Sequence, residues 1–169
     1  MRHWLSLLIA LAASPDAGCT QPAAPAAGIT PIPLPSVPVV TLEGTPTDLP
    51  AMVHGRVAVV SFWATWCDVC VGEIDALARL QAQAGARSDA VVIGVAVGEP
   101  RETVAAFARK RELRYAQVID EDFRLADALG QERVPTTLVV DRAGRIVFRG
   151  GALDPAGLAA FRTALGTPP

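Results

Sequence analysis

The chain is poor in charge, in cysteine and in histidine. Only 19% of its 169 residues are Asp, Glu, Lys or Arg, and the formal net charge is −2. Its longest basic run is Arg109-Lys110-Arg111, so the electrostatic footprint of a nucleic-acid binder is missing and no nucleic-acid partner is expected. Three cysteines are too few to staple a miniature fold. His54 is the only histidine outside the extreme N-terminus, which excludes His-rich metal sites. The apolar run Trp4 to Ala13 is about half of the ~20 residues that a membrane-spanning helix needs. What is present is apolar material: 51% of the chain is hydrophobic, enough for one ordinary core, and no internal repeat is visible.

The N-terminal third divides by composition. Residues 1–18 place Arg2 and His3 before the short apolar run and end in small residues, the pattern of a secretory signal peptide. Asp16-Ala17-Gly18-Cys19 resembles a bacterial lipobox, with Asp16 where a large aliphatic residue is usual; it implies lipidation of Cys19 and a membrane anchor. The other reading is cleavage near Ala10-Leu11-Ala12, which leaves Cys19 as an unpaired thiol in an oxidising compartment. From Cys19 to Ser36 the chain is rich in Pro and Ala and is expected to be a semi-extended linker. The folded domain is expected over 37–169.

Within that domain, Val57–Trp63 and Ala90–Val97 are nearly continuous β-branched or small apolar runs, as in strands buried on both faces. A helix-length segment, 68–84, separates them, so the two strands should be parallel. A helix over 101–112, a strand over 115–119 and a short helix over 123–129 ended by Gly130 follow. Thr137–Val140 and Arg145–Phe148 flank the turn sequence Asp141-Arg142-Ala143-Gly144 and predict an antiparallel hairpin. Asp154-Pro155 then caps a last helix. The expected class is α/β: a central mixed sheet with a parallel βαβ part and a C-terminal antiparallel hairpin, flanked by helices.

Chemistry concentrates where the first long strand meets the helix, at Trp66-Cys67-Asp68-Val69-Cys70. That spacing puts Cys67 at the helix N-terminus, where free amides and the helix dipole favour a thiolate, and Cys70 one turn inside. A purely structural disulfide across so short a loop would stabilise little. Half of a metal site lacks its other half, since no second cysteine pair or nearby His exists. Attachment of c-type haem requires His after the second cysteine, and Val71 stands there. A reversible dithiol remains the best reading. Glu73 shares a helical stripe with Cys70, Ile74, Leu77 and Leu80, whereas Asp68, Asp75 and Arg79 fall opposite. This phase turns Glu73 toward the buried face near Cys70, where desolvation would raise its pKa and let it exchange protons with the thiols.

The run Val59 to Cys70, then Glu73, Arg133-Val134-Pro135-Thr136-Thr137 and Asp141 to Val147, resembles the thioredoxin superfamily, and within it the extracytoplasmic TlpA/ResA-like thiol-disulfide oxidoreductases. The resemblance runs over about 37–166 and implies a thioredoxin-like fold with a cis peptide before Pro135. It further implies a nucleophilic Cys67 resolved by Cys70, a proton-exchanging Glu73, and a substrate surface made by Trp66, Val134, Pro135 and Thr136. Where thioredoxin itself has a buried aspartate, this chain has Ser61. No cofactor beyond the Cys67-Cys70 disulfide and no metal are implied. Implied partners are cysteine-containing exported proteins, such as apocytochromes c or copper-site proteins, and a membrane-embedded thiol reductant.

Asp68 and Val69, between the cysteines, are the expected tuners of the redox potential. A negative charge beside Cys67 opposes the thiolate and favours the disulfide, which makes the protein a reductant. The alternative functions are a copper chaperone of the same fold, which would use wider cysteine spacing and a distal histidine, and a peroxiredoxin, which would need Thr where Ala64 stands. The expected setting is the bacterial cell envelope.

Overall fold

The computed structural model describes residues 29–85 and 88–166. The expected signal peptide, 1–18, and Cys19 lie outside them. In chain order the elements are β1 (Ile32–Pro33), β2 (Val39–Thr41), β3 (Pro46–Thr47), α1 (Leu49–Val53), β4 (Val57–Trp63), α2 (Asp68–Gly85) and β5 (Ala90–Val97). There follow α3 (Arg101–Lys110), β6 (Ala116–Asp120), α4 (Arg124–Ala128), β7 (Thr136–Val140), β8 (Arg145–Gly150) and α5 (Pro155–Gly166). The strands form one sheet in the order β1-β8-β7-β4-β5-β6-β2-β3. β4, β5 and β6 run parallel; β7 is antiparallel to β4, and β8 to β7.

β4 sits in the middle because every one of its seven residues is buried, as a strand covered on both faces requires. Its alternation feeds two cores. Val57 and Val59 pack with Leu77, Leu80 and Ala84 of α2 and with Phe161 and Ala164 of α5. Ala58, Val60 and Phe62 pack on the opposite face, with Leu49 and Val53 of α1 and Leu125 and Ala126 of α4. A third, smaller core joins Trp63 and Ala64 to Cys67, Cys70, Val104 and Ile119 at the C-terminal ends of the parallel strands. Arg142 in the β7–β8 turn ties down α5, with Nη1 and Nη2 donating to the carbonyls of Ala164 and Leu165 and Nη2 also meeting Asp89 at 2.6 Å.

The fold is the mixed sheet with flanking helices that the sequence predicts, with one correction at its start. The linker does not extend to residue 36. Ile32–Pro33 pairs with Ile146 and Arg145 of β8, the Leu34 amide donates to the Gly144 carbonyl, and the Leu34 side chain is buried in the core beside Ile146 and Leu138. Proline is tolerated here because β1 is an edge strand, where a missing N–H on the open side costs no ladder bond. The strands β2 and β3 and the helix α1 were not anticipated either; β2 extends the sheet by pairing antiparallel with β6.

A buried Leu34 has a direct consequence. Leu34→Ala should lower unfolding stability by about 2 kcal/mol or more, read as a lower urea midpoint at unchanged slope. A side chain in a free linker would leave the midpoint where it was.

Candidate active site

After Trp63 the chain leaves β4, turns with the Cys67 amide donating to the Ala64 carbonyl, and enters α2, whose first turn is closed by the Val71 amide on the Cys67 carbonyl. This places Cys67 immediately before the helix and Cys70 in its first turn. The two form a disulfide with Cα atoms 5.2 Å apart. Both are buried. The Cys70 amide donates to Cys67 Sγ at 3.2 Å, so a preformed donor, aided by the helix dipole, stands ready for negative charge on that sulfur once the bond opens.

The loop carrying Cys67 is fixed from beside it. Glu99, buried between β5 and α3, accepts from both the amide (2.7 Å) and the hydroxyl of Thr65. Sequence reasoning missed Glu99. Its available signal was position: Gly98-Glu99-Pro100 ends a parallel strand adjacent to β4, at the same sheet edge as the cysteines, and Gly98 takes a φ of +68°. Trp63, below the loop, is held by its Nε1 donating to Gln117 Oε1 at 3.0 Å and by its tilted contact with Phe107.

The register of β4 with β7 brings the second wall into place. Phe62 faces Thr136, so the preceding residues Val134 and Pro135 lie across from the end of β4, where the cysteine loop begins. The Val134-Pro135 peptide is cis. Thr136 is buried, its hydroxyl donating to the Arg133 carbonyl at 2.9 Å. Around the disulfide, Trp66 and Val69 are 68% and 61% exposed, an unusual commitment of apolar surface to solvent. Asp68 is exposed at the first position of α2.

Glu73 is half-buried, less deeply than its stripe suggested. Its one hydrogen-bond partner among the described residues is the Leu153 amide, ahead of α5, and no such bond joins it to either sulfur. Burial raises its pKa above the ordinary 4.5, partly offset by that amide. Burial also pushes the Tyr115 phenol up to about 12, with the Glu73 charge acting in the same direction. Beneath α2, Ser61 and Thr137 face each other on β4 and β7, both buried. No cluster of three or more His, Cys, Asp or Glu able to hold a metal occurs among the described residues.

A thioredoxin-like sheet with a Cys-x-x-Cys disulfide at the start of its first long helix defines the class: a thioredoxin-fold protein with a redox-capable cysteine pair. The chain belongs to the AhpC/TSA family, which it matches over residues 31–149. It is 30% identical over 93 residues to the thiol-disulfide oxidoreductase ResA of Geobacillus thermodenitrificans, covering 55% of this chain and 53% of that protein. It is 31% identical over 106 residues to the thiol:disulfide interchange protein DsbE of Escherichia coli K12, covering 62% and 55%. The chain thus spans little more than half the length of these relatives. Among solved structures, a DsbE-type thiol:disulfide interchange protein from Chlorobium tepidum superposes with a TM-score of 0.70 at 20% identity over 81% of this chain and 95% of that one, a likeness of fold. A secreted thiol-disulfide isomerase from Corynebacterium glutamicum gives 0.63 at 27% identity over 75% and 84%.

The environment of Glu73 predicts a pH dependence. A carboxyl whose folded pKa is raised contributes stability that is complete below its unfolded value, near 4.5, and is lost as pH rises through the folded value. Glu73→Gln removes that loss while keeping an acceptor for Leu153. With the disulfide intact, the thermal midpoints of the two proteins should converge at pH about 4 and separate in favour of the Gln variant toward about 7. Parallel curves would show that the carboxyl is solvated.

Proposed function

We propose that the chain is a thiol-disulfide oxidoreductase of the cell envelope, reducing disulfides in exported cysteine-containing proteins through Cys67 and Cys70. The observation that carries this reading is the Cys67-Cys70 disulfide itself, with Cys67 Sγ accepting from the Cys70 amide at a helix start and bare apolar surface around it. The similarity to the thiol-disulfide oxidoreductase ResA and the thiol:disulfide interchange protein DsbE supports it.

In the reduced protein the Cys67 thiolate attacks one sulfur of a substrate disulfide, forming a mixed disulfide and releasing the other substrate sulfur as a thiolate. Cys70, deprotonated, then attacks Cys67 Sγ, re-forming Cys67-Cys70 and releasing the second substrate thiol. Two electrons pass to the substrate, and protons from the medium complete its thiols. Glu73 serves as a proton acceptor for Cys70 through solvent rather than by direct contact. Return to the dithiol needs a thiol donor, for which a membrane-embedded reductant is the fitting class; apocytochromes c and copper-site proteins are fitting substrates. The leader and a lipidated Cys19 would tether the domain to the membrane. Cell fractionation tests this: the full chain should sediment with membranes and Cys19→Ser should not.

The roles of the cysteines separate in a trapping experiment. Cys70→Ser should accumulate mixed disulfides through Cys67, because the resolving thiol is gone, and Cys67→Ser should accumulate none. Equal capture by both variants, or by neither, would overturn the assignment.

Direction follows from charge. Asp68 adjoins Cys67 at the first position of α2 and opposes the donors that would favour its thiolate. Equilibration with dithiothreitol should place the couple on the reducing side, and Asp68→Asn should move it toward oxidising, each tenfold in the equilibrium being about 30 mV. A shift of the variant toward reducing would remove the electrostatic cause.

A further inference from the structure

Charge is segregated along the strand direction. β4, β5 and β6 run the same way, so their C-terminal ends and the starts of α2, α3 and α5 make one end of the molecule, the end that carries the disulfide. The starts of those strands, the β7–β8 turn and the C-terminal ends of α2, α3 and α5 make the other. The disulfide end exposes Asp68, Glu102, Glu121, Asp122, Glu132 and Asp154, and its cations are fewer: Arg101, Arg124, Arg133 and Arg149. At the opposite end the balance inverts. Arg109, Lys110, Arg111 and Arg114 lie there with Arg56, Arg142 and Arg145, against Glu43, Asp89, Glu112 and Asp141. A net charge of only −2 thus conceals two poles of opposite sign.

The basic pole centres on the end of α3, which is a fixed turn. The amides of Arg111, Glu112 and Leu113 donate to the carbonyls of Phe107, Arg109 and Ala108, and Glu112 takes a φ of +50°. From this turn Arg109, Lys110, Arg111 and Arg114 all reach solvent. Arg114 meets the exposed Glu112 at 3.2 Å, which leaves three cations in excess within six residues. The helix dipole favours Arg109 and Lys110 in the last turn, but gives no reason for Arg111 and Arg114 beyond it. The exposed large apolar side chains among the described residues are Ile29, Ile32, Trp66, Val69 and Phe123, and none belongs to this cluster. A protein interface centres on apolar anchors, whereas an anionic lipid surface attracts cations without them.

We propose that the basic pole is a docking surface for anionic lipid headgroups, which seats the domain on a membrane with its disulfide turned away from the bilayer. The proposal goes beyond the oxidoreductase reading and does not use the thiol chemistry. A tether at Cys19 would confine the domain without orienting it, because the nine residues 20–28 could span up to about 30 Å and so reach either pole. Charge makes the choice: each exposed cation near such a surface strengthens binding about fivefold, and the acidic pole is repelled.

The test uses the full oxidised chain with vesicles of phosphatidylcholine containing about one-third phosphatidylglycerol, and with vesicles of phosphatidylcholine alone. Wild type should co-sediment with the anionic vesicles about tenfold or more strongly than with the neutral ones, and raising salt from about 0.05 to 0.5 M should abolish the difference. Combining Arg109→Gln, Lys110→Gln, Arg111→Gln and Arg114→Gln should remove the preference at unchanged melting temperature. Arg124→Gln, which deletes a cation from the disulfide end, should keep it; any contribution of the leader is common to all these proteins. On the anionic vesicles, dithiothreitol should reduce Cys67-Cys70 at the rate found in free solution. Equal binding to both kinds of vesicle, a preference that survives the four substitutions, or one lost equally in Arg124→Gln would overturn the proposal. So would a disulfide reduced much more slowly on the vesicles, since the acidic pole would then face the lipid. A cluster that binds polyglutamate and ignores the vesicles would be a site for an acidic protein, and would overturn the lipid assignment. Each of these failures leaves the oxidoreductase reading intact, which the trapping experiment tests separately.

Discussion

The pairing of β4 with β7 is the constraint from which the site follows. Ala58 to Phe62 face Val140 to Thr136 in unbroken antiparallel register, while the other edge of β4 pairs in parallel with β5 along its whole length. A slip of one residue would turn Val57 and Val59 away from α2 and α5 and expose the alternation to the wrong core. Burial on both faces therefore fixes the register. The register in turn sets Pro135 beside the loop that ends in Cys67. The proximity of two loops 68 residues apart in sequence is thus a by-product of packing apolar side chains at the centre of the sheet.

Some of this was legible in the sequence for a physical reason. β4 and β5 are fully buried, so their residues report only one environment and the runs Val57–Trp63 and Ala90–Val97 match the observed strands to the residue. The helix after Cys67 carries a clean apolar stripe, and the turn Asp141–Gly144 carries its own chemistry, with Gly144 at φ +73°. The opening of the domain was not legible. Ile32–Pro33, Val39–Thr41 and Pro46–Thr47 are two or three residues long and lie toward the edges, and the first of them falls among Pro31, Pro33 and Pro35 in the stretch up to Ser36 that reads as a spacer. Edge pairing is decided by the strand that receives it, β8 or β6, and leaves little periodicity in the segment that is received.

The same distinction applies within the site. Cys67, Cys70 and Pro135 belong to local patterns, whereas Glu99 and Phe123 acquire their meaning only from residues far away in sequence. Glu73 is intermediate: its stripe turned it toward the interior, but it is half-buried and its carboxyl accepts from the Leu153 amide ahead of α5 rather than bonding to a sulfur. Helical phase specifies a direction to within a side-chain width, and a five-atom side chain can use that freedom.

Two buried carboxylates then account for how exposed aromatic surface can exist beside the disulfide at all. Glu99 and Asp120 are the charged side chains among the most deeply buried described residues, and each stands at or just beyond the C-terminal end of a parallel strand. Among the described residues neither is paired with a cation; each instead accepts two donors from the loop or helix start beside it. Charge-assisted hydrogen bonds of this kind offset the desolvation of an isolated anion, and they do so only while the donors stay in place. Glu99 thereby holds the segment that presents Trp66, and Asp120 holds the helix start that presents Phe123. Release of either aromatic into the core would leave a buried anion short of its donors, a cost larger than the gain from covering one ring. The two rings, Trp66 and Phe123, therefore stay apart and exposed.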